Sequence, residues 1–191
     1  MFAGHFGLAA TVKAKTPEVP LWAIMLGTQL LDVAFVPLFL SGVETIEPVE
    51  GSQGYGGSVI HADYTHSLVG ALLITLLAGL LASRFWGKRS GFVIGSVVFS
   101  HWLLDLIVHR MDLPLLPGNL GNLPLLGFGL WQFPGVSMVL ELVLVGAGFL
   151  LYARSLLKNT HGKTKSWALT ASGAMGVLLL LSLLTDVFGV G

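Results

Sequence analysis

Residues 91–109, GFVIGSVVFSHWLLDLIVH, are apolar over a length that can cross a bilayer, yet they carry His101, Asp105 and His109 at fourfold spacing. Successive fourfold steps on an α-helix rotate by only about 40°. Two imidazoles and a carboxylate therefore form one polar stripe on a helix that otherwise meets lipid or protein. Ionisable groups at membrane depth are costly and, where they persist, mark pathways or sites.

Composition sets the surroundings of that helix. The chain has 191 residues, 54% hydrophobic and 10% charged, with a mean hydropathy of +0.82. These values exclude an ordinary water-soluble globule and point to a single all-α membrane domain over residues 1–191. Lys13 and Lys15 follow the apolar stretch 2–12 instead of preceding it, the wrong order for a secretory signal, so the N-terminus is expected to be retained. Cysteine is absent, which leaves imidazole and carboxylate as the strong metal ligands. The formal net charge is zero and gives no reason to expect nucleic acid as a partner.

Hydropathy predicts five transmembrane helices, at 21–41, 66–83, 91–109, 133–152 and 167–188, with outer loops at 42–65 and 110–132. Basic residues alternate with them. Lys13 and Lys15 precede the first span, Arg84, Lys88 and Arg89 separate the second from the third, and Arg154, Lys158, Lys163 and Lys165 separate the fourth from the fifth. That pattern makes one side cytoplasmic. The loop 42–65 carries Glu44, Glu47, Glu50 and Asp63 without Lys or Arg and is expected to face outward. Trp22, Trp86, Trp131 and Trp167 fall at span ends, as headgroup-layer anchors would, whereas Trp102 lies within the third span. The N-terminal stretch is too short to cross and reads as a half-helix or re-entrant piece packed on the bundle. Gly87, Gly91 and Gly95 form a small-residue ridge for close helix packing. Residues 113–135, broken by Pro and Gly but still apolar, read as a cap over the outer mouth.

Counting 1.5 Å per residue puts Asp32, His101 and Glu141 at one level, with His5 lifted toward it and His66 opening the second span. Nitrogen and carboxylate groups from several helices thus converge on the outer half of one bundle, as in a metal site built between helices. His5, Asp32, His66, His101, Asp105 and His109 are the candidate metal ligands, and Asp63 and Glu141 the candidate general bases. Thr65, Ser67 and Ser100 adjoin the ligands and can support them or simply bond their own backbone. His161, Glu18 and Asp186 read as surface charge.

The order His5, then Gln29 to Asp32, then HADYTHS over 61–67, then SHWLLDLIVH over 100–109 resembles the YdjM-like family of bacterial inner-membrane proteins, regarded as metal-dependent hydrolases. The family's Thr-His-Ser and Ser-His-x-x-x-Asp elements fall here on Thr65, His66, Ser67, Ser100, His101 and Asp105. Ala62 and Asp63 stand where an Arg-Gly pair is common in the family. The resemblance covers about the first two-thirds of the chain. It implies a multi-pass, metal-dependent hydrolase of the bacterial inner membrane, and with the site placed toward the outer face a phosphoester or other lipid-linked bond is the expected substrate.

The expected cofactor is a divalent metal, zinc first, with manganese, iron or magnesium compatible. Expected partners are membrane lipid or a lipid-linked substrate, together with a membrane-protein partner if the chain is a non-catalytic subunit of a larger complex. A small carrier or ion pathway is the remaining alternative, although the sequence carries no internal repeat of the kind carriers usually have. No nucleophile elbow, P-loop or dinucleotide-binding glycine pattern is present.

Overall fold

The computed structural model describes residues 2–49, 54–158, 160 and 162–189. Glu50 and His161, two of the residues considered above, lie outside them. The described chain is mostly helical: α1 (Phe2–Lys15), α2 (Leu21–Thr28), α3 (Leu30–Leu40), α4 (Leu68–Val108), α5 (Pro134–Leu157) and α6 (Lys163–Phe188). Between α3 and α4 a small antiparallel hairpin pairs β1 (Thr45–Pro48) with β2 (Ser58–His61), setting Ile46 opposite Ile60. With only the adjacent pairs Thr45–Ile46 and Val59–Ile60 as β-branched residues, neither strand carries an alternating pattern that the sequence would show.

Among the described residues three stretches are long and apolar enough to cross a membrane, in α4, α5 and α6. The α2–α3 pair adds a fourth if its 53° bend is taken as a break within one span. A membrane protein follows from these lengths and compositions.

The 41 residues of α4 are not one rod. Gly87 has φ 84° and ψ 164°, a conformation essentially reserved for glycine, and the chain doubles back there. Gly79 lies against Gly91 and Gly95, and Gly95 against Thr75, so the two arms, 68–86 and 88–108, run side by side in opposite directions. The glycine ridge is thus both the turn and the seam of a helical hairpin. Without a Cβ at these positions the backbones approach closely enough for dispersion contacts to hold them together.

Helix α1 is the expected short N-terminal piece, 14 residues or about 21 Å long. Its small residues Ala3, Gly4, Gly7, Ala9 and Ala10 are buried, chiefly against α5. A Cβ on Gly7 would lie 2.6 Å from the backbone of Leu144, so only glycine permits that approach. Ser155 Oγ donates to the Ala14 carbonyl and Arg89 pairs with Glu18 at 3.2 Å, which gathers the three basic clusters at one end of the molecule. The hairpin and the 110–132 segment lie at the other. Leu113 and Leu126 bridge as a single antiparallel pair, and the Pro114 and Leu115 carbonyls accept from the first amides of α4, so this loop caps the start of that helix.

Of the expected tryptophan anchors, Trp22, Trp86 and Trp167 are exposed near the basic end. Trp131 is not an anchor. It turns inward onto His109, ring centroids 4.3 Å apart, and lines the interior cavities.

Candidate metal centre

Four segments bring their polar side chains to one point. His101 and Asp105 come from the second arm of α4, Asp32 from the first turn of α3, His66 from the residue before the Ser67 N-cap of α4, and His5 from α1. Asp32 Oδ1, His66 Nε2 and His101 Nε2 form a nearly equilateral triangle with edges of 3.3, 3.4 and 3.5 Å. Donors on a tetrahedral ion with bonds of about 2.0–2.2 Å stand about 3.3–3.6 Å apart. Asp105 Oδ2 adjoins the triangle, 2.9 Å from His101 Nε2 and 3.7 Å from His66 Nε2. Two candidate ligand groups result, Asp32–His66–His101 and His5–His101–Asp105, with His101 common to both.

The outer partners fix which nitrogens are free. His101 Nδ1 lies 2.6 Å from the Thr28 carbonyl, an acceptor only, so Nδ1 carries the proton and Nε2 offers its lone pair. That carbonyl is available because the helix breaks at Gln29, between α2 and α3. Irregular backbone inside a membrane protein is tolerated where such groups find a partner. His66 Nδ1 lies 2.9 Å from Thr65 Oγ1, whose hydroxyl lies 3.0 and 3.1 Å from the Glu44 carboxylate oxygens. Glu44 also accepts from the Tyr64 and Thr65 amides. The hydroxyl therefore donates to Glu44 and accepts from His66 Nδ1, again leaving Nε2 without a proton. Two imidazole lone pairs and two carboxylates then face one another, and acceptors crowded this closely call for a shared cation.

Each residue of the two motifs now has a task. In Thr-His-Ser, Thr65 orients the ring, His66 presents it, and Ser67 Oγ accepts from the Gly70 amide to start α4. In Ser-His-x-x-x-Asp, Ser100 bonds its own helix at Val97, so it supports no ligand. Trp102, buried as expected, donates its Nε1–H to the His66 carbonyl at 2.8 Å and ties the two motifs together. The sequence reading missed Glu44. It was taken for an outward loop acid but is completely buried. Glu44 stands 21 residues before Thr65, and nothing in the sequence pattern pairs the two.

His5 Nε2 lies 3.2 Å from Asp105 Oδ1, and the His5 ring stacks on His101 with centroids 3.9 Å apart. Its Nδ1 is buried without a hydrogen-bond partner among the described residues. His109 does not join the cluster. Two turns rotate it about 80° from His101 and carry it about 12 Å along the axis, and its Nδ1 is held by Asp112 at 3.0 Å.

The two expected bases lie elsewhere. Asp63 is absent from the cavity wall, and its backbone carbonyl accepts from Gly118. Glu141 is buried at the start of α1, where it accepts from the Gly4 amide and from the Tyr55 hydroxyl, while Asp186 accepts from the Ala3 amide. Carboxylates at a helix N-terminus satisfy unpaired amides and complement the helix dipole. Glu141 and Asp186 thus lock α1, and with it His5, in position. Burial first, then the bonded Glu141 carboxylate, hold the Tyr55 phenol well above its ordinary range, so it remains a donor.

Compared with known proteins, the chain matches no family model, no curated protein and no solved structure. The likeness to the YdjM-like family accordingly rests on the motif residues alone.

Proposed function

We propose that this chain is a membrane-embedded, metal-dependent hydrolase of the bacterial inner membrane, akin to the YdjM-like family, acting on a phosphoester or lipid-linked bond near the outer face. The observation that carries the reading is the triangle of Asp32 Oδ1, His66 Nε2 and His101 Nε2, with both Nδ1 protons already committed to Thr28 and Thr65. These three residues would hold the ion, with Asp105 as the adjacent fourth donor. Because His101 has only one free nitrogen, the two overlapping groups cannot both use it, which favours a single ion. A two-His, one-carboxylate set is one that zinc uses in hydrolytic sites, and iron(II) takes the same set.

When bound, such a metal lowers the pKa of a coordinated water to near 7 and so supplies a nucleophile at neutral pH. The chain's own residues do the rest. Asp105, held by His5 through Oδ1 and close to the triangle through Oδ2, would either complete the ligand set or accept a proton from a water held there. In hydrolysis the water oxygen would bond to the phosphorus or acyl carbon as the bond to the leaving oxygen breaks, and the proton taken up by Asp105 would pass to that leaving oxygen. Phe35, Val36, Ile46, Ile60 and Trp131 wall the cavity and limit bulk water.

The five-span topology belongs to the same proposal. It counts the bent α2–α3 pair as one crossing, the two arms of α4 as two, and α5 and α6 as one each. The gathering of basic residues at one end supports a cytoplasmic assignment for that end.

Turnover of p-nitrophenyl phosphodiester and carboxyl-ester probes by purified protein tests the activity. Zinc-dependent release that a chelator removes and His101→Ala abolishes is expected. Metal-loaded protein without turnover on either class would instead favour a non-catalytic metal subunit.

A further inference from the structure

The wall of the metal cavity says what reaches it. The cavity, about 540 Å³, has the His5, Asp32, His66, His101 and Asp105 cluster on its floor and mostly apolar walls, among them Phe35, Val36, Ile60 and Trp131, with His109 the further polar wall residue. Its rim lies on one stripe of α3. The Asp32 side chain is 46% exposed and Val36, one turn on, 51% exposed, continuous with exposed Phe39 and Leu40. On a helix in the bilayer this stripe faces lipid. A carboxylate half open to acyl chains is costly, and a polar headgroup drawn in from the side would cover it.

A second cavity of about 640 Å³ shares Phe2, Ile46, Ile60 and Trp131 with the first and adds Tyr55 and Asp186. Among the described residues neither wall contains a lysine or arginine. The nearest guanidinium, Arg110, lies outside both walls and donates to the Gly56 carbonyl. A polyanionic headgroup would therefore meet carboxylates with only a metal to offset them, whereas an ammonium suits the aromatic and acidic lining of the second cavity. His5, only 2% exposed, lines the first cavity, and its Nδ1 has no hydrogen-bond partner among the described residues.

We infer that the substrate is a zwitterionic glycerophospholipid that enters sideways from the bilayer between α3 and the β1–β2 hairpin, its headgroup lying where the two cavities share a wall. This rests on the metal-site reading but is tested apart from it.

The experiment uses full-length, metal-loaded protein in nanodiscs containing equal phosphatidylethanolamine and phosphatidylglycerol, with a benzophenone photolabel replacing Ile60, on the hairpin above the cavity. Irradiation should attach phosphatidylethanolamine at least fivefold over phosphatidylglycerol, read by mass. Val36→Trp, which narrows the rim, should remove the adduct while leaving metal content unchanged. No lipid adduct on protein that contains its metal would overturn lateral entry and leave the metal centre standing. Equal capture of the two lipids would overturn the zwitterionic preference. Protein lacking metal would count instead against the hydrolase itself.

Discussion

Asp105 is the residue on which the centre turns, because it touches both histidines of the α4–α1 stack and the edge of the Asp32–His66–His101 triangle. Asp105→Asn keeps the shape but removes the charge that offsets a cation. Loss of bound metal is expected with the helices still inserted, whereas His61→Ala, which alters a half-exposed partner of Glu47, should change neither. Metal content of both purified variants checks this, and wild-type metal in Asp105→Asn would refute it. Glu44 and Thr65 act through His66. Thr65→Val removes the hydroxyl that fixes the ring, so metal affinity should fall by roughly 10- to 100-fold, while Thr65→Ser should restore it. The d–d spectrum of the cobalt-substituted protein reports ligand geometry independently of overall stability, and an identical affinity and spectrum for Thr65→Val would remove Glu44 and Thr65 from the site.

The elements owe their arrangement to glycine and to a broken helix. Gly87 sits in a region where a Cβ costs roughly 1–3 kcal/mol, so Gly87→Ala should lower the melting temperature by several degrees while still inserting. Gly91→Leu should do worse, since even a Cβ at Gly91 would collide with Ser83 and the Gly79 carbonyl in the seam. Thermal unfolding in detergent compares the two, and equal stability of Gly91→Leu and the wild type would mean that the arms of α4 are not packed as described. The sequence showed these glycines as a packing ridge but did not show Gly87 as the turn, because a glycine's positive φ leaves no mark in hydropathy. It also showed where His101, Asp105, Asp32, His66 and His5 would converge, since depth follows from counting residues along helices. Which way each side chain turns does not follow from counting. His109 shares the fourfold stripe but bonds Asp112 and lines the cavity wall apart from the cluster, Glu141 shares the level but faces α1, and Glu44 reaches the site only through a loop whose path no periodicity encodes.

The whole molecule is polarised, with its basic clusters at one end and the hairpin, Asp186 and the metal cavity toward the other. On the five-span reading, single cysteines at Glu47 and Lys88, both exposed in a chain without native cysteine, should react from opposite sides with an impermeant maleimide. Labelling of both from one side of sealed vesicles would break the topology. The most direct test of the central claim is elemental analysis by inductively coupled plasma mass spectrometry on purified wild-type protein and on Asp32→Asn, His66→Ala and His101→Ala. The account predicts about one divalent ion per wild-type chain, zinc in the first instance, and strong loss in each variant. Wild-type protein that stays metal-free after incubation with zinc, manganese and iron, and is no less stable for it, would contradict it.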